Sequence, residues 1–282
     1  MEIGKRIKRF RTEKEMTQAE LAGDFITRNM LSLIEAGKAQ PSLPTVEYIA
    51  NRLNVPIGVL VSDDESEKFF RKIQRLGKIK KAFAEKNHQI CRELCESVYG
   101  DDEIYLMLSK CVLENAKELF FDGRMKSACR EFDKAVEISS KTIYNTDTIK
   151  GEAAAYGRFM EEISPTLYSD CAQADIAVGF SLGDEFCRYI EALKDENSDF
   201  SGSFELSEHI KARKLIKEKK FAEAKATLEG ILNKGTELQT PLLYFIFGDL
   251  ETVCYELSDF KNAYDYSNLK VVTLEKMLGE DA

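Results

Sequence analysis

Apolar residues recur along most of this chain at spacings of three and four, strict alternation is missing, and only five prolines interrupt the pattern. That periodicity predicts an almost entirely α-helical protein. Near the N-terminus it is punctuated by two helix starts. Thr17 and Glu20 have the spacing of a capping box, in which each side chain satisfies a backbone N–H of the first turn, with Met16 and Leu21 as the flanking hydrophobic staple. Ten residues later Thr27 repeats the arrangement with Ile26 and Leu31, and Gly23 between them offers the positive φ at which the first helix can stop. At about 100° per residue, Arg28, Asn29 and Ser32 fall on one side of the second helix and Met30, Leu31 and Ile34 on the other. The apolar trio is expected to be buried and the polar trio, with Thr27, to share a solvent-facing surface. Arg can donate two hydrogen bonds to guanine, Asn pairs with adenine, and small hydroxyls suit base or phosphate, so that surface fits a DNA major groove.

Further along, a weak internal repeat emerges. Residues 114–138, 209–232 and 250–272 can be laid over one another, with Ala128, Ala224 and Ala263 each three residues after Met125, Phe221 or Phe260. Ala116 and Ala212 stand twelve residues before the first two of these alanines, across a polar or glycine break. Small residues where two helices cross closely, and a bulky one to plug the next pair, are what a stacked helix hairpin needs. Residues 67–98 and 168–194 read as degenerate copies, and 141–207 leaves room for two, so five pairs are expected. The short acidic run SDDES at 62–66 marks the boundary. The expected organisation is a domain over 1–61, a linker over 62–66 and a repeat domain over 67–282.

Charge separates the same two parts. The whole chain carries a net charge of −9, yet residues 1–61 hold 9 Lys+Arg against 7 Asp+Glu, which leaves all of the acidic excess to the remainder. Lys5, Arg6, Lys8, Arg9, Arg11 and Lys14 crowd the first turns, where they can meet phosphates or simply form a solvated face. No apolar run is long enough to cross a bilayer, and the opening MEIGKRIKRFR has no secretion-type apolar segment, so a cytoplasmic location without membrane contact is expected. The odd number of cysteines, seven, reads as reduced thiols.

The run TQAELA, the following helix ending in IEAGKAQPS, and the further helix PTVEYIANRLNVP resemble the Cro/repressor (Xre-type) helix-turn-helix domain over residues 1 to about 61. In that family the second helix of the motif enters the major groove. Carried over by position, the resemblance implies that Thr27, Arg28, Asn29 and Ser32 meet bases, that Gln18 meets phosphate, and that Lys38 and Gln40 are weaker phosphate contacts. Glu35 is expected to pair with Arg9 or Arg11 and orient the first helix. The turn between the motif's helices is one residue shorter than in phage repressors. The later repeats resemble tetratricopeptide repeats, which implies a right-handed α-solenoid behind the helix-turn-helix head.

A head and body of this kind together resemble the peptide-responsive regulators of Gram-positive bacteria, the PlcR-, NprR-, Rgg- and PrgX-like group. The resemblance implies a homodimer on double-stranded DNA whose repeat domain binds a short signalling peptide. In tetratricopeptide arrays the first helix of each pair lines the concave side, which nominates Lys110, Leu113, Lys117 and Phe120, then Leu206, His209, Arg213 and Ile216, then Phe245, Gly248, Thr252 and Tyr255, with Asn115 adjacent. Two rivals stand beside this reading: a regulator whose body only dimerises or docks a protein partner, and an adaptor that does not use its head on DNA.

Other chemistry has little support. His88, Cys91 and Cys95 share one helix face but lack a fourth ligand, so no metal or redox role is assigned. With only two histidines, no nucleophile motif and no phosphate-binding glycine loop, neither an enzyme nor a cofactor is expected.

Overall fold

A computed structural model describes residues 3–61, 64–98, 100–167, 169–173, 184–194, 200–234 and 238–279. Every regular element among them is helical, as the periodicity predicts. The chain divides into two compact units, residues 1–81 with 97–99, and residues 82–96 with 100–282.

The first unit contains α1 (Ile3–Glu13), α2 (Gln18–Ala22), α3 (Arg28–Glu35), α4 (Leu43–Leu53), α5 (Ile57–Val61) and most of α6 (Asp64–Ala84). Its core is one cluster to which each of the first five helices contributes: Ile7, Phe10, Leu21, Leu31, Ile34, Val46, Ile49, Leu53 and Leu60 among others. Each such side chain contributes about 1.5–3 kcal/mol on burial, and that apolar contact holds helices too short to persist alone. Gly4 allows α1 to lie directly on α3, since a Cβ there would overlap the Ile34 carbonyl. The unit extends beyond the boundary expected at 62–66. Residues 64–66 already belong to α6, and Phe70 further along that helix packs against the core, close to Gly58.

The second unit is a row of helix pairs. It runs through α7 (His88–Glu96), α8 (Asp102–Phe121), α9 (Met125–Ser139), α10 (Asp147–Ile163), the 3₁₀ turn Asp170–Gln173, α11 (Glu185–Lys194), α12 (Phe204–Lys217), α13 (Phe221–Asn233), α14 (Thr240–Glu256) and α15 (Phe260–Leu278). Each helix packs on the next, α8 also touches α10 and α14, and α9 touches α15. The repeat alanines lie where the helices cross: Ala116, Ala128, Ala212 and Ala224 are fully buried and Ala263 nearly so. The expected copy at 168–194 falls partly on 174–183, outside the described residues. Between 141 and 207 the described elements are α10, the 3₁₀ turn, α11 and the start of α12, and the expected room for two pairs falls partly on residues outside the described ones.

One turn recurs four times. Lys86, Gly123, Lys219 and Ser258 all have positive φ, each two residues before the second helix of its pair. In each, the next N–H reaches back five residues, as in Arg124 N–H to the Leu119 carbonyl and Lys220 N–H to the Leu215 carbonyl, closing the first helix with a Schellman turn. Among the described residues no helix is long and apolar enough to cross a membrane.

Candidate functional site

The N-terminal motif is built from local signals. Thr17 caps α2 and exchanges hydrogen bonds with Glu20, whose carboxyl the Thr17 N–H holds below its ordinary pKa. Thr27 Oγ1 accepts the Met30 N–H and starts α3, and Met16 and Ile26 pack against the core as staples. Gly23 ends α2 with φ of 50°, where a Cβ would also collide with the Tyr48 hydroxyl. Phe25 in the same turn stacks on the Tyr48 ring at 4.5 Å, which ties the α2–α3 turn to α4.

On α3, Thr27, Arg28 and Asn29 are exposed and Ser32 is half-buried, so the polar side stands clear of the core. The opposite side differs from the expected trio. Leu31 and Ile34 are buried, but Met30 is 39 % exposed and the third buried position belongs to Glu35. The cause is a charged clamp. Arg11 Nε and Nη2 donate to the two Glu35 carboxylate oxygens at 2.7 and 3.0 Å, and Gln18 Nε2 donates to Glu35 Oε2 at 2.9 Å. The hydrogen bond to Glu35 raises the Arg11 pKa, and Arg11 Nη1 also donates to the Met16 carbonyl. Burial of Glu35 rotates the inward face of α3 by roughly 40° at 100° per residue, which turns Met30 and Leu33 outward beside Asn29. These two apolar side chains, absent from the sequence-based site, can meet the methyl group of thymine. Their signal was the carboxylate: an acidic residue at the end of α3 with an arginine in α1 marks the buried side.

The basic run of α1 is divided by the same packing. Lys5, Lys8 and Lys14 are exposed. Arg6 is buried and donates to the Leu60 carbonyl at 3.3 Å, Arg9 pairs with Glu13, and Arg11 is the arginine that holds Glu35, so of the six cations read as phosphate contacts or a solvated face the three lysines stay exposed. Lys38 and Gln40 are exposed in the loop after α3, and Gln18 is half-buried with its amide directed at Glu35.

In the second unit the nominated groove row separates into exposed and buried members. Lys110 and Leu113 border a cavity of about 600 Å³ that is also lined by Lys86, Glu114, Asn145 and Glu152. Lys117 is instead buried among Glu114, Glu152 and Asp184, with its Nζ 3.0, 2.7 and 3.1 Å from their carboxylate oxygens. Burial raises the Glu152 pKa, whereas for Asp184 burial is outweighed by Lys117 together with hydrogen bonds from the Cys187 N–H and the Tyr156 hydroxyl, and the pKa is lowered. Phe120 has no exposed surface because it packs edge-on against Tyr156 and Phe186, and Asn115 Nδ2 donates to Glu131. His209 is fully buried between the Tyr189 hydroxyl at 2.7 Å and Asp249 at 3.0 Å. Arg213 grips both oxygens of Asp249 and lies over the half-buried Phe245 ring, while Tyr255 is 65 % exposed. Phe120 and His209 thus belong to the core rather than to an open groove, because their partners come from helices that the spacing on one helix does not reveal.

Cys91, Cys95 and Cys111 are buried and close to one another, and burial pushes the Cys95 thiol up to about 12. His88 Nδ1 points to Glu118 at 3.2 Å instead. Among the described residues no group of His, Cys, Asp or Glu side chains is placed to hold a metal ion.

Comparison with known proteins places this geometry. Residues 7–60 match the family model described as Helix-turn-helix. The chain is 35 % identical over 65 residues to the immunity repressor protein of Bacillus phage phi105, an alignment covering 23 % of this chain and 45 % of that repressor. The chain thus spans less than half the length of that curated relative. Among solved structures it is similar to Bacillus thuringiensis PlcR in complex with the peptide PapR7 and DNA, at 16 % identity over 99 % of both chains, with a TM-score of 0.25. It is also similar to ComR of S. thermophilus in complex with DNA and its signalling peptide ComS, at 16 % identity over 96 % of this chain and 99 % of that one, with a TM-score of 0.24. Residues 7–60, with their capped α2, their Gly23 turn and an α3 held on Leu31, Ile34 and Glu35, are a helix-turn-helix domain of the Xre type.

Proposed function

We propose that this chain is a sequence-specific DNA-binding transcription regulator that acts as a homodimer. α3 enters the major groove, Arg28, Asn29 and Ser32 with Thr27 meet base edges, Met30 and Leu33 meet thymine methyls, and Gln18, Lys38 and Gln40 meet phosphates. The observation that carries this reading is the exposed polar side of a capped helix whose other side is fixed to α1 by the Arg11–Glu35 clamp. One domain of this size meets few bases, so two recognition helices about 34 Å apart on one side of the duplex supply useful affinity.

Band shifts on a site selected from random DNA test it. Arg28→Ala removes a bidentate base contact and is expected to cost about 1–3 kcal/mol of discrimination at one position, with helicity unchanged. Replacing thymine by uracil in the site is expected to weaken binding of the native chain and not of a variant carrying both Met30→Ala and Leu33→Ala. Lys38→Ala is expected to reduce the salt slope by about one without changing preference. Preference unaltered by Arg28→Ala would remove the base-reading assignment.

The second unit is proposed to bind a short signalling peptide that modulates DNA affinity. The cavity beside Lys110 and Leu113 supports this, since the exposed Lys86 and Lys110 can take a C-terminal carboxylate and Asn145 can pair with a peptide main chain. Only a peptide with different affinity for two arrangements of the dimer can shift DNA binding. The burial of Phe120 and His209 favours the rival in which the repeats only dimerise. Secreted peptides from culture, added during thermal melts and band shifts, separate the two. A shift in either that Lys110→Glu abolishes supports peptide sensing, and no shift supports the rival.

A further inference from the structure

In a row of stacked helix pairs each pair covers an apolar face of its neighbour, and a side that is left exposed is polar when nothing binds it. One exposed side of α15 is not polar. Drawn at about 100° per residue, the side that meets α14 is centred on Tyr266, Ser267 and Lys270, which touch Phe247 and Glu251. A second line lies roughly 70° away by the same turn angle. It consists of Phe260, Tyr264, Ser267, Val271, Leu274 and Leu278, spaced alternately by four and three, which is the seam spacing of a two-helix coiled coil. Phe260, Tyr264 and Val271 are 61, 67 and 49 % exposed although α15 packs on α14 and touches α9. The exposed Tyr255 ring meets Phe260 edge-on at 5.7 Å and widens the apolar patch at one end.

We propose that this line packs against the same line of a second copy, antiparallel, across a two-fold axis between Ser267 and Val271. The inference rests on the dimeric reading above and names its interface. Its occupant follows from self-complementarity. The alternating spacing reads identically in both directions, so Phe260 meets the partner's Leu278, Tyr264 the partner's Leu274 and Ser267 the partner's Val271. Along the flank turned away from α14 stand Lys261, Asn268 and Glu275, all exposed. The same register brings Lys261 opposite the partner's Glu275 on both sides of the axis and Asn268 opposite the partner's Asn268. A parallel pairing would set this flank against the Ala263, Lys270 and Met277 side, which α14 already occupies. In the antiparallel seam Lys261 therefore meets a carboxylate, Phe260 and Tyr264 meet apolar partners, and Val271 meets the small Ser267 beside the axis.

Zero-length carbodiimide cross-linking of the full chain, read by mass spectrometry, tests the register directly. Lys261 and Glu275 are fourteen residues apart on one helix, about 21 Å, so a direct cross-link between them can form only between two copies. That cross-link is the expected product, and a cross-linked dimer without it overturns the register. Sedimentation then reads the interface. Val271→Asp is expected to weaken dimerisation on the order of a hundredfold with an unchanged circular dichroism spectrum, because it buries a carboxylate beside the axis. Lys261→Glu and Glu275→Lys alone are each expected to weaken it roughly tenfold, and the two together to restore it. A native chain that stays monomeric at every concentration overturns the dimeric reading and the interface with it. A native dimer indifferent to Val271→Asp overturns this interface and leaves the dimer standing. Cross-links from Lys261 to another cellular protein instead of a second copy would assign the line to that partner and overturn the proposal.

Discussion

One buried clamp in each unit holds a charge of opposite sign. In the first, the buried carboxylate of Glu35 is matched by one bidentate arginine and one amide, all within a span of residues 11 to 35. In the second, the buried cation Lys117 collects three carboxylates, one of them Asp184, which lies 67 residues further along. The first clamp orients a helix whose other side must be displayed. The second joins α8 and α10 to the residue just before α11. A clamp beside a displayed surface is short-range and legible; one that ties a repeat array together is long-range and is not.

The largest expected effect breaks the second clamp. Lys117→Met leaves Glu114, Glu152 and Asp184 facing one another with no counter-ion, and is expected to lower stability by about 3–5 kcal/mol. Chemical denaturation reads it. Arg11→Met is expected to cost less, because Gln18 still donates to Glu35. Equal losses would remove the distinction between the clamps.

Gly4→Ala comes next. The added methyl meets the Ile34 carbonyl, a backbone atom that cannot rotate away, so α1 must shift off α3 at a cost of about 1–3 kcal/mol. The loss should fall on the first unit alone, and DNA preference should degrade with it because α3 loses its support. Melting that unit with the second unchanged is the outcome that sharpens the comparison.

Acid titration probes the second unit differently. Burial alone would raise the Asp249 pKa, but His209 and Arg213 outweigh it and the value is lowered. A carboxyl whose folded pKa lies below its unfolded value of about 3.9 contributes stability above that pH and loses it as pH falls through the folded value. Asp184 acts with the same sign, whereas Glu152, raised by burial, opposes it. Asp249→Asn is therefore expected to flatten the loss of stability below about pH 4. An unchanged acid limb would show that the Arg213 and His209 contacts carry no linkage.

These contrasts explain what could be read from the sequence. The capping box at Thr17, the cap at Thr27, the staples and the Gly23 turn involve residues within about five positions of one another, so Thr17, Glu20 and Thr27 were legible and their hydrogen bonds are present. The exposed side of α3 was legible through Arg28 and Asn29 but misjudged at Met30, since Glu35 takes an inward position that hydrophobic periodicity reserves for apolar side chains. The groove row failed at Phe120 and His209 for a related reason. Their burial depends on Tyr156, Phe186, Tyr189 and Asp249, which lie on other helices of the stack.

The smallest expected effect concerns why the repeats were faint. All four Schellman turns need a left-handed residue, yet only Gly123 is a glycine, and Lys86, Lys219 and Ser258 hold φ between 57 and 60°. Only glycine adopts that region without a Cβ penalty, so a consensus glycine would have marked every pair and three of four copies hide it. The penalty is recoverable. Lys219→Gly and Ser258→Gly should each stabilise the second unit by a few tenths of a kcal/mol up to about 1, the strain removed being partly offset by greater freedom in the unfolded chain. Gly123→Ala should act in the reverse direction and by more, because the new methyl is also 3.0 Å from Thr240 Cγ2 where the turn approaches α14. Thermal melts of the three variants order the turns by strain. Were Lys219→Gly to destabilise as much as Gly123→Ala, side-chain contacts of the lysine, and not the left-handed backbone, would be what closes that hairpin.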